Sequence, residues 1–253
     1  MTERTVRRVS GLLAALAAAA VIGVYPQPAG ASNSEISSQT HSAGFTHQYV
    51  WNFSGSTISP QWSVYDGPGT ATSDSRDPHN VWVSDGLLHL RASGTSGSGT
   101  SGSGICLCRG SGTPTRPYGR WDIYARMPVD PHHNFAILLW PNDGQPKAGE
   151  EIDLAEFPGP DKTVLQNTVH DGPGTNKHSS FTNGLYRGWH KYSVVWAPNS
   201  LTFWVDDNLV WRADPAWSPY DAMHLVLQGG RYSTSTPTSG SSVMDVKSIR
   251  HFR

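Results

Sequence analysis

Asn80 to Arg91 reads NVWVSDGLLHLR, two short alternating runs on either side of Asp85-Gly86. A period of 2 sends successive side chains to opposite faces of a strand, and Asp-Gly suits a two-residue type I′ turn because both positions want positive φ. The stretch therefore reads as a β-hairpin. The pattern returns from Tyr192 to Ala213, where YSVVW, LTFWV and LVWRA are β-branched and aromatic runs and an Asp206-Asp207-Asn208 turn joins the last two. Beyond the N-terminal leader no window sustains a 3.6-residue period for three turns, and no repeat of fixed length occurs. Many short strands punctuated by Gly, Pro, Asn and Asp predict an all-β antiparallel sandwich or barrel and speak against a propeller or solenoid.

Composition agrees. Only 15% of the 253 residues are charged, against roughly 25% in an average soluble protein, while Gly (26), Pro (18) and Trp (10) are plentiful. That profile excludes a helical bundle, a coiled coil and a charged disordered chain. At the N-terminus Arg4, Arg7 and Arg8 precede an apolar run from Leu12 to Val24, and Ala29-Gly30-Ala31 offers a small-x-small cleavage site. Residues 1–31 thus read as a secretory signal peptide, the apolar run being short of the ~20 residues a membrane span needs. The remaining chain is expected to be secreted, extracellular and free of the membrane. It keeps 16 basic and 19 acidic residues, which gives no electrostatic footprint for nucleic acid or an anionic membrane surface.

Residues 32–46 are polar and read as a flexible segment leading into one domain, 47–253. Inside that domain Ser93 to Gly104, SGTSGSGTSGSG, cannot bury apolar surface and reads as a mobile loop. Cys106 and Cys108 lie too close for a bridge to gain much loop-closure entropy, so their pairing stays open. No His/Cys spacing along the chain predicts a metal site.

Trp140 to Pro158, WPNDGQPKAGEEIDLAEFP, concentrates acids in a chain otherwise poor in charge. On a strand, Glu151 and Asp153 point to one face while Ile152 and Leu154 point into a core. Strict alternation would put Glu156 on the wrong face, and a one-residue bulge near Leu154 or Ala155 restores it, lining up three carboxyls. On a helix, at about 100° per residue, the same acids scatter. A row of carboxyls opposite an apolar face costs repulsion, and chemistry is one gain that offsets it. Two carboxyls about 5 to 5.5 Å apart can serve as nucleophile and general acid/base in retaining glycoside hydrolysis. A third acid between them can set the proton distribution. A solvated acidic face and a site for a hard cation such as calcium are the other readings these residues allow.

Glu151-Ile152-Asp153-Leu154-Ala155-Glu156 matches the E-x-D-x-x-E signature of glycoside hydrolase family 16, the family of laminarinases, lichenases, agarases and carrageenases. Other stretches resemble the family in the family's order: Tyr118-Gly119-Arg120 to Ala125-Arg126, Trp140-Pro141, Trp189-His190-Lys191-Tyr192 and Phe203-Trp204-Val205-Asp206. The resemblance runs from about Tyr49 to Phe252. It implies a concanavalin A-like jelly-roll sandwich of two antiparallel sheets, with the catalytic strand in the concave one and a cleft for polysaccharide. It further implies Glu151 as nucleophile, Asp153 as assisting carboxylate and Glu156 as general acid/base, in the bulged branch of the family.

Sugar rings are held by stacking on aromatics and by hydrogen bonds to polar side chains. On this resemblance Trp140, His170 and Gln228 are the candidate substrate-binding residues. Alternation leaves the face of Trp121 open, whereas Trp196, Trp204 and Trp211 read as core or edge residues. Many members hold a structural calcium with an acid on the first strand and an Asp on the last. Here Val50-Trp51-Asn52-Phe53 has no acid although Asp245 is present, so calcium is expected to be weak or absent and no cofactor is required. The expectation is a monomeric, endo-acting, retaining β-glycosidase that hydrolyses a β-1,3- or β-1,3-1,4-glucan. The alternatives are a hydrolase of a β-galactan or another matrix polysaccharide, and a lectin-like binding module without chemistry.

Overall fold

Strands form where the alternating and β-branched runs stand. A computed structural model describes residues 45, 48–68, 74–95, 99–109, 118–142, 150–171, 177–231 and 240–253. The expected signal peptide and, apart from Phe45, the expected flexible segment lie outside the described residues. In chain order the strands are β1 (Gln48–Trp51), β2 (Ser63–Val64), β3 (Gly67–Pro68), β4 (Asp74–Arg76), β5 (Val81–Ser84), β6 (Leu87–Thr95), β7 (Gly99–Cys106), β8 (Gly119–Met127) and β9 (His133–Pro141). They continue as β10 (Glu151–Glu156), β11 (Val164–His170), β12 (Lys177–Asn183), β13 (Gly188–Ala197), β14 (Ser200–Val205), β15 (Asn208–Arg212), β16 (Met223–Arg231) and β17 (Ser241–Phe252).

The hairpin β5–β6 turns at Asp85 and Gly86 with φ of 53° and 74°, and β14–β15 turns at Asp206 and Asp207 with φ of 48° and 63°. Both are the positive-φ turns that their residues favour. One antiparallel sheet runs β15-β14-β13-β8-β17-β6-β5, with β1 beside the end of β17. The other runs β2-β7-β16-β9-β10-β11-β12 and carries the carboxylates. Side chains such as Leu88, Ile123, Val194 and Met244 from the first sheet meet Ile105, Ile137, Leu165 and Leu225 from the second in one buried core. Two packed sheets of this kind are the expected jelly roll.

The Ser93 to Gly104 tract corrects its sequence reading. Its described residues are not a free loop: Ser93 to Thr95 end β6 and Gly99 to Gly104 build most of β7, while residues 96–98 lie outside the described residues. β7 pairs with β6 at its start and with β16 and β2 at its end, and so crosses from one sheet to the other. The missing side chains leave room for others. A Cβ on Gly102 would come within 2.7 Å of the Gly229 oxygen and 2.8 Å of the Arg76 guanidinium, and one on Gly104 would strike the Tyr65 ring. A strand whose neighbours supply the packing shows no apolar alternation of its own. Trp121 proves to be core, buried and stacked between Trp51 and His251. Trp196 is buried and donates its indole N–H to the Pro219 oxygen at 2.9 Å. Trp204 and Trp211 are half-buried on their hairpin.

Candidate active site

β10 sits mid-sheet between β9 and β11, and its apolar residues fix which way it faces. Ile152, Leu154 and Ala155 are buried in the core, which turns Glu151 and Asp153 to the opposite face. Asp153 pairs with Thr168 and Glu156 with Gln166, so three steps on β10 span two on β11. Against β9, Asp153 pairs with Leu138 and Ala155 with Ile137, two steps against one. This is the one-residue bulge that three aligned carboxyls require, and it returns Glu156 to the face of Asp153. A bulge frees a backbone group, and here the buried Asn167 side chain donates its Nδ2–H to the Leu154 oxygen at 2.5 Å.

Crowded carboxyls resist ionisation. Burial, then the neighbouring Asp153 charge, push Glu151 up to about 9. Burial and the charge of Glu156 hold Asp153 well above the carboxylate range. A hydrogen bond joins the two side chains, and the pair retains a proton at neutral pH because a second charge has no water to solvate it. His170 Nε2 lies 3.4 Å from Asp153 Oδ2 and 3.8 Å from Glu151 Oε2. Its cross-strand neighbour Lys177 adds positive field that favours an ionised Asp153.

The other candidates share this face but not one spot. His170 stands directly opposite Glu151 and contacts the carboxyls themselves. Trp140 is half-buried on β9, where it packs against Cys106, Ala136, Leu138 and Val226. Gln228 lies on β16, and its Oε1 accepts from Arg76 Nη2 at 3.0 Å, so half of its amide is committed to the protein. Sequence reasoning missed several residues. Asn167 supports the bulge, and Phe181, 61% exposed, stands opposite Gln166 in the row that holds Glu156. Glu150 is buried and accepts the Asp221 N–H at 3.2 Å, tying the segment before β16 to the start of β10. Only Phe181 left a trace in the sequence, as an apolar residue in the otherwise polar run KHSSFTN.

Residues 77–245 match the sequence profile of "Glycosyl hydrolases family 16". The chain belongs to that family. Among its curated relatives are the endo-1,3-1,4-beta-glycanase EglC of Rhizobium meliloti (strain 1021), 30% identical over 193 residues, and a beta-glucanase of Rhodothermus marinus, 28% identical over 138 residues. The first alignment covers 71% of this chain and 39% of the relative, and the second covers 44% and 46%. The chain thus spans less than half the length of either. The catalytic domain of an endo-1,3-beta-glucanase (laminarinase) from Thermotoga petrophila RKU-1 shares the fold, with a TM-score of 0.69 at 20% identity over 81% of this chain and 96% of that one.

In this family 16 chain the last-strand carboxylate is engaged within the protein. Asp245 accepts from Arg126 Nε at 2.8 Å and from Arg126 Nη2, and its other oxygen meets His89 Nδ1 at 2.6 Å. Two cationic or hydrogen-donating partners fill both oxygens, and β1 brings no acid, so these residues do not fit a calcium site.

Proposed function

We propose that the chain is a secreted, monomeric, endo-acting glycoside hydrolase that cuts a β-1,3- or β-1,3-1,4-glucan with retention of configuration. The observation that carries this reading is the row Glu151, Asp153 and Glu156 on the face of β10 turned away from the core. Family membership and the glucanase relatives support the substrate class, and the N-terminal leader supports secretion.

In the first step Glu156 gives its proton to the glycosidic oxygen while Glu151 attacks the anomeric carbon. The bond to the leaving sugar breaks as the glycosyl-enzyme ester forms. Glu151 holds the shared proton in the free protein, so as it attacks it passes that proton to the more buried Asp153 through the hydrogen bond that joins them. Asp153 then donates it back in a hydrogen bond to the Glu151 oxygen. His170 holds the Asp153 side chain from across the sheet. In the second step Glu156 takes a proton from water, whose oxygen attacks the anomeric carbon and releases Glu151.

Purified protein incubated with laminarin, barley mixed-link glucan and agarose, with Glu151→Gln as control, tests the reading. Oligosaccharides from a glucan, absent in the control and first released as the β-anomer by NMR, support it. Products of the α-anomer overturn the retaining mechanism. A polymer retained by the protein but never cut overturns the hydrolase reading.

A further inference from the structure

The register between β7 and β16 brings together three soft ligands that lie far apart in the chain. Cys106 pairs with Val226, and Leu107, fully buried in the core, donates its N–H to the Leu225 oxygen at 2.9 Å. The ladder therefore continues one step past Cys106 and sets Cys108 beside His224. Because Leu107 points inward, Cys106 and Cys108 both point to the face that carries the carboxylates. They are joined by a disulfide, and the ligand atoms of Cys106, Cys108 and His224 all lie within 4.8 Å of one another.

We infer that reduction of this disulfide opens a binding site for a zinc-class divalent ion, held by Cys106, Cys108 and His224 with a fourth position open to the cleft. Bonds of about 2.3 Å to sulfur and 2.0–2.1 Å to nitrogen give a tetrahedron with edges of roughly 3.5–3.8 Å, which the present cluster brackets once the sulfurs part. His224 is buried and already oriented: its Nδ1 lies 2.9 Å from Asn142 Oδ1, an acceptor, so Nδ1 carries the hydrogen and Nε2 presents its lone pair. An outer partner that fixes the tautomer in this way is the usual companion of a ligating imidazole. Ala136, Leu138, Val226 and Trp140 form an apolar surround beside Cys106. Thiolate and imidazole donors together select zinc-class over hard cations.

The chemistry balances with a dithiol as reductant. The dithiol gives two electrons and two protons to the bridge, becoming a cyclic disulfide and leaving Cys106 and Cys108 as thiols. The ion then displaces those two protons. The site is three strands from Asp153 along the row Cys106, Val226, Leu138, Asp153, about 14 Å at the spacing of sheet strands. It is separate from the carboxylates and does not depend on the glucanase reading.

The test compares one protein in two redox states. Dithiol-reduced protein, freed of reductant without air and shown by thiol counting to have gained two thiols, is titrated with Cd2+ and with Zn2+ against a chromophoric chelator. One ion should bind per chain with a thiolate-to-Cd2+ charge-transfer band, while the oxidised protein binds none. Cys108→Ser should lose the band, and His224→Gln should bind about tenfold more weakly or worse. Equal binding by both redox states, no band, an unweakened His224→Gln, or a bridge that resists the dithiol in the folded protein would each overturn the site. The two redox states are compared in the parent protein, so the site is tested even where a variant misfolds.

Discussion

Replacing Glu151 by Gln should abolish turnover and stabilise the fold, by an amount that grows with pH. Folding holds Glu151 at about 9, against an ordinary value near 4.5 in the unfolded chain. For an acid whose folded value is raised, stability is fully present below about pH 4.5 and is lost as pH climbs toward 9, at roughly 1.4 kcal/mol per unit. The native protein thus carries a cost of roughly 1 kcal/mol at pH 5 and 3 kcal/mol at pH 7. The Glu151 side chain is only 20% exposed, so solvent screens little of this. Gln keeps the shape and can donate the hydrogen bond that Asp153 accepts from Glu151, but has no charge to resist. For a domain of this size the gain is about 3 °C in Tm at pH 5 and 10 °C at pH 7. Calorimetry of both proteins across pH 5 to 8, with hydrolysis measured in parallel, checks it. A stability difference that does not change with pH, or a variant less stable than the parent at pH 7, refutes the argument that burial and carboxyl repulsion load this strand.

Asn167→Ala orphans the Leu154 oxygen at the bulge and should cost about 1–3 kcal/mol in chemical denaturation, with turnover reduced because Glu156 loses its support. Asp245→Ala, which strips Arg126 and His89 of their shared partner, should cost about 2 kcal/mol. A chelator should leave the Tm of the parent protein unchanged, and a fall on chelation would show that calcium holds the fold. Phe181→Ala, at an exposed site, should raise KM for polymeric glucan several-fold while leaving both the Tm and the cleavage of short oligosaccharides as they were.

What the sequence discloses and what it hides follow from the range of the forces involved. Alternation is local, so β5, β6 and the meander from β13 to β15 are legible in their own residues. The bulge is legible as well, because Glu156 falls out of phase with Glu151 and Asp153 and only an extra residue restores it. The partners that complete each group are not local. Arg76 reaches Gln228 across 152 positions and His89 reaches Asp245 across 156, contacts that the sheet register alone creates. Cys108 and His224 show no metal-ligand spacing for the same reason. The Gly/Ser tract misleads in the opposite sense: its strands lack side chains because Tyr65 and Arg76 occupy their space.

The alternation that exposes the acids also offsets their cost. Every residue that turns a carboxyl outward on β10 has a neighbour that turns an apolar side chain inward: Ile152 between Glu151 and Asp153, then Leu154 and Ala155 before Glu156. Full burial of Ile152 and Leu154 contributes roughly 4 kcal/mol, slightly more than the roughly 3 kcal/mol that Glu151 withholds at pH 7. The strand therefore stays in place only while both faces are kept. Substitutions that relieve the outer face gain stability and lose a carboxyl on which the proposed chemistry depends, whereas those that enlarge the inner face must fit a core in which Ile152 and Ala155 are already fully buried. Stability and chemistry are thus opposed on one face of a single strand, and only changes elsewhere in the sandwich can raise the first without lowering the second.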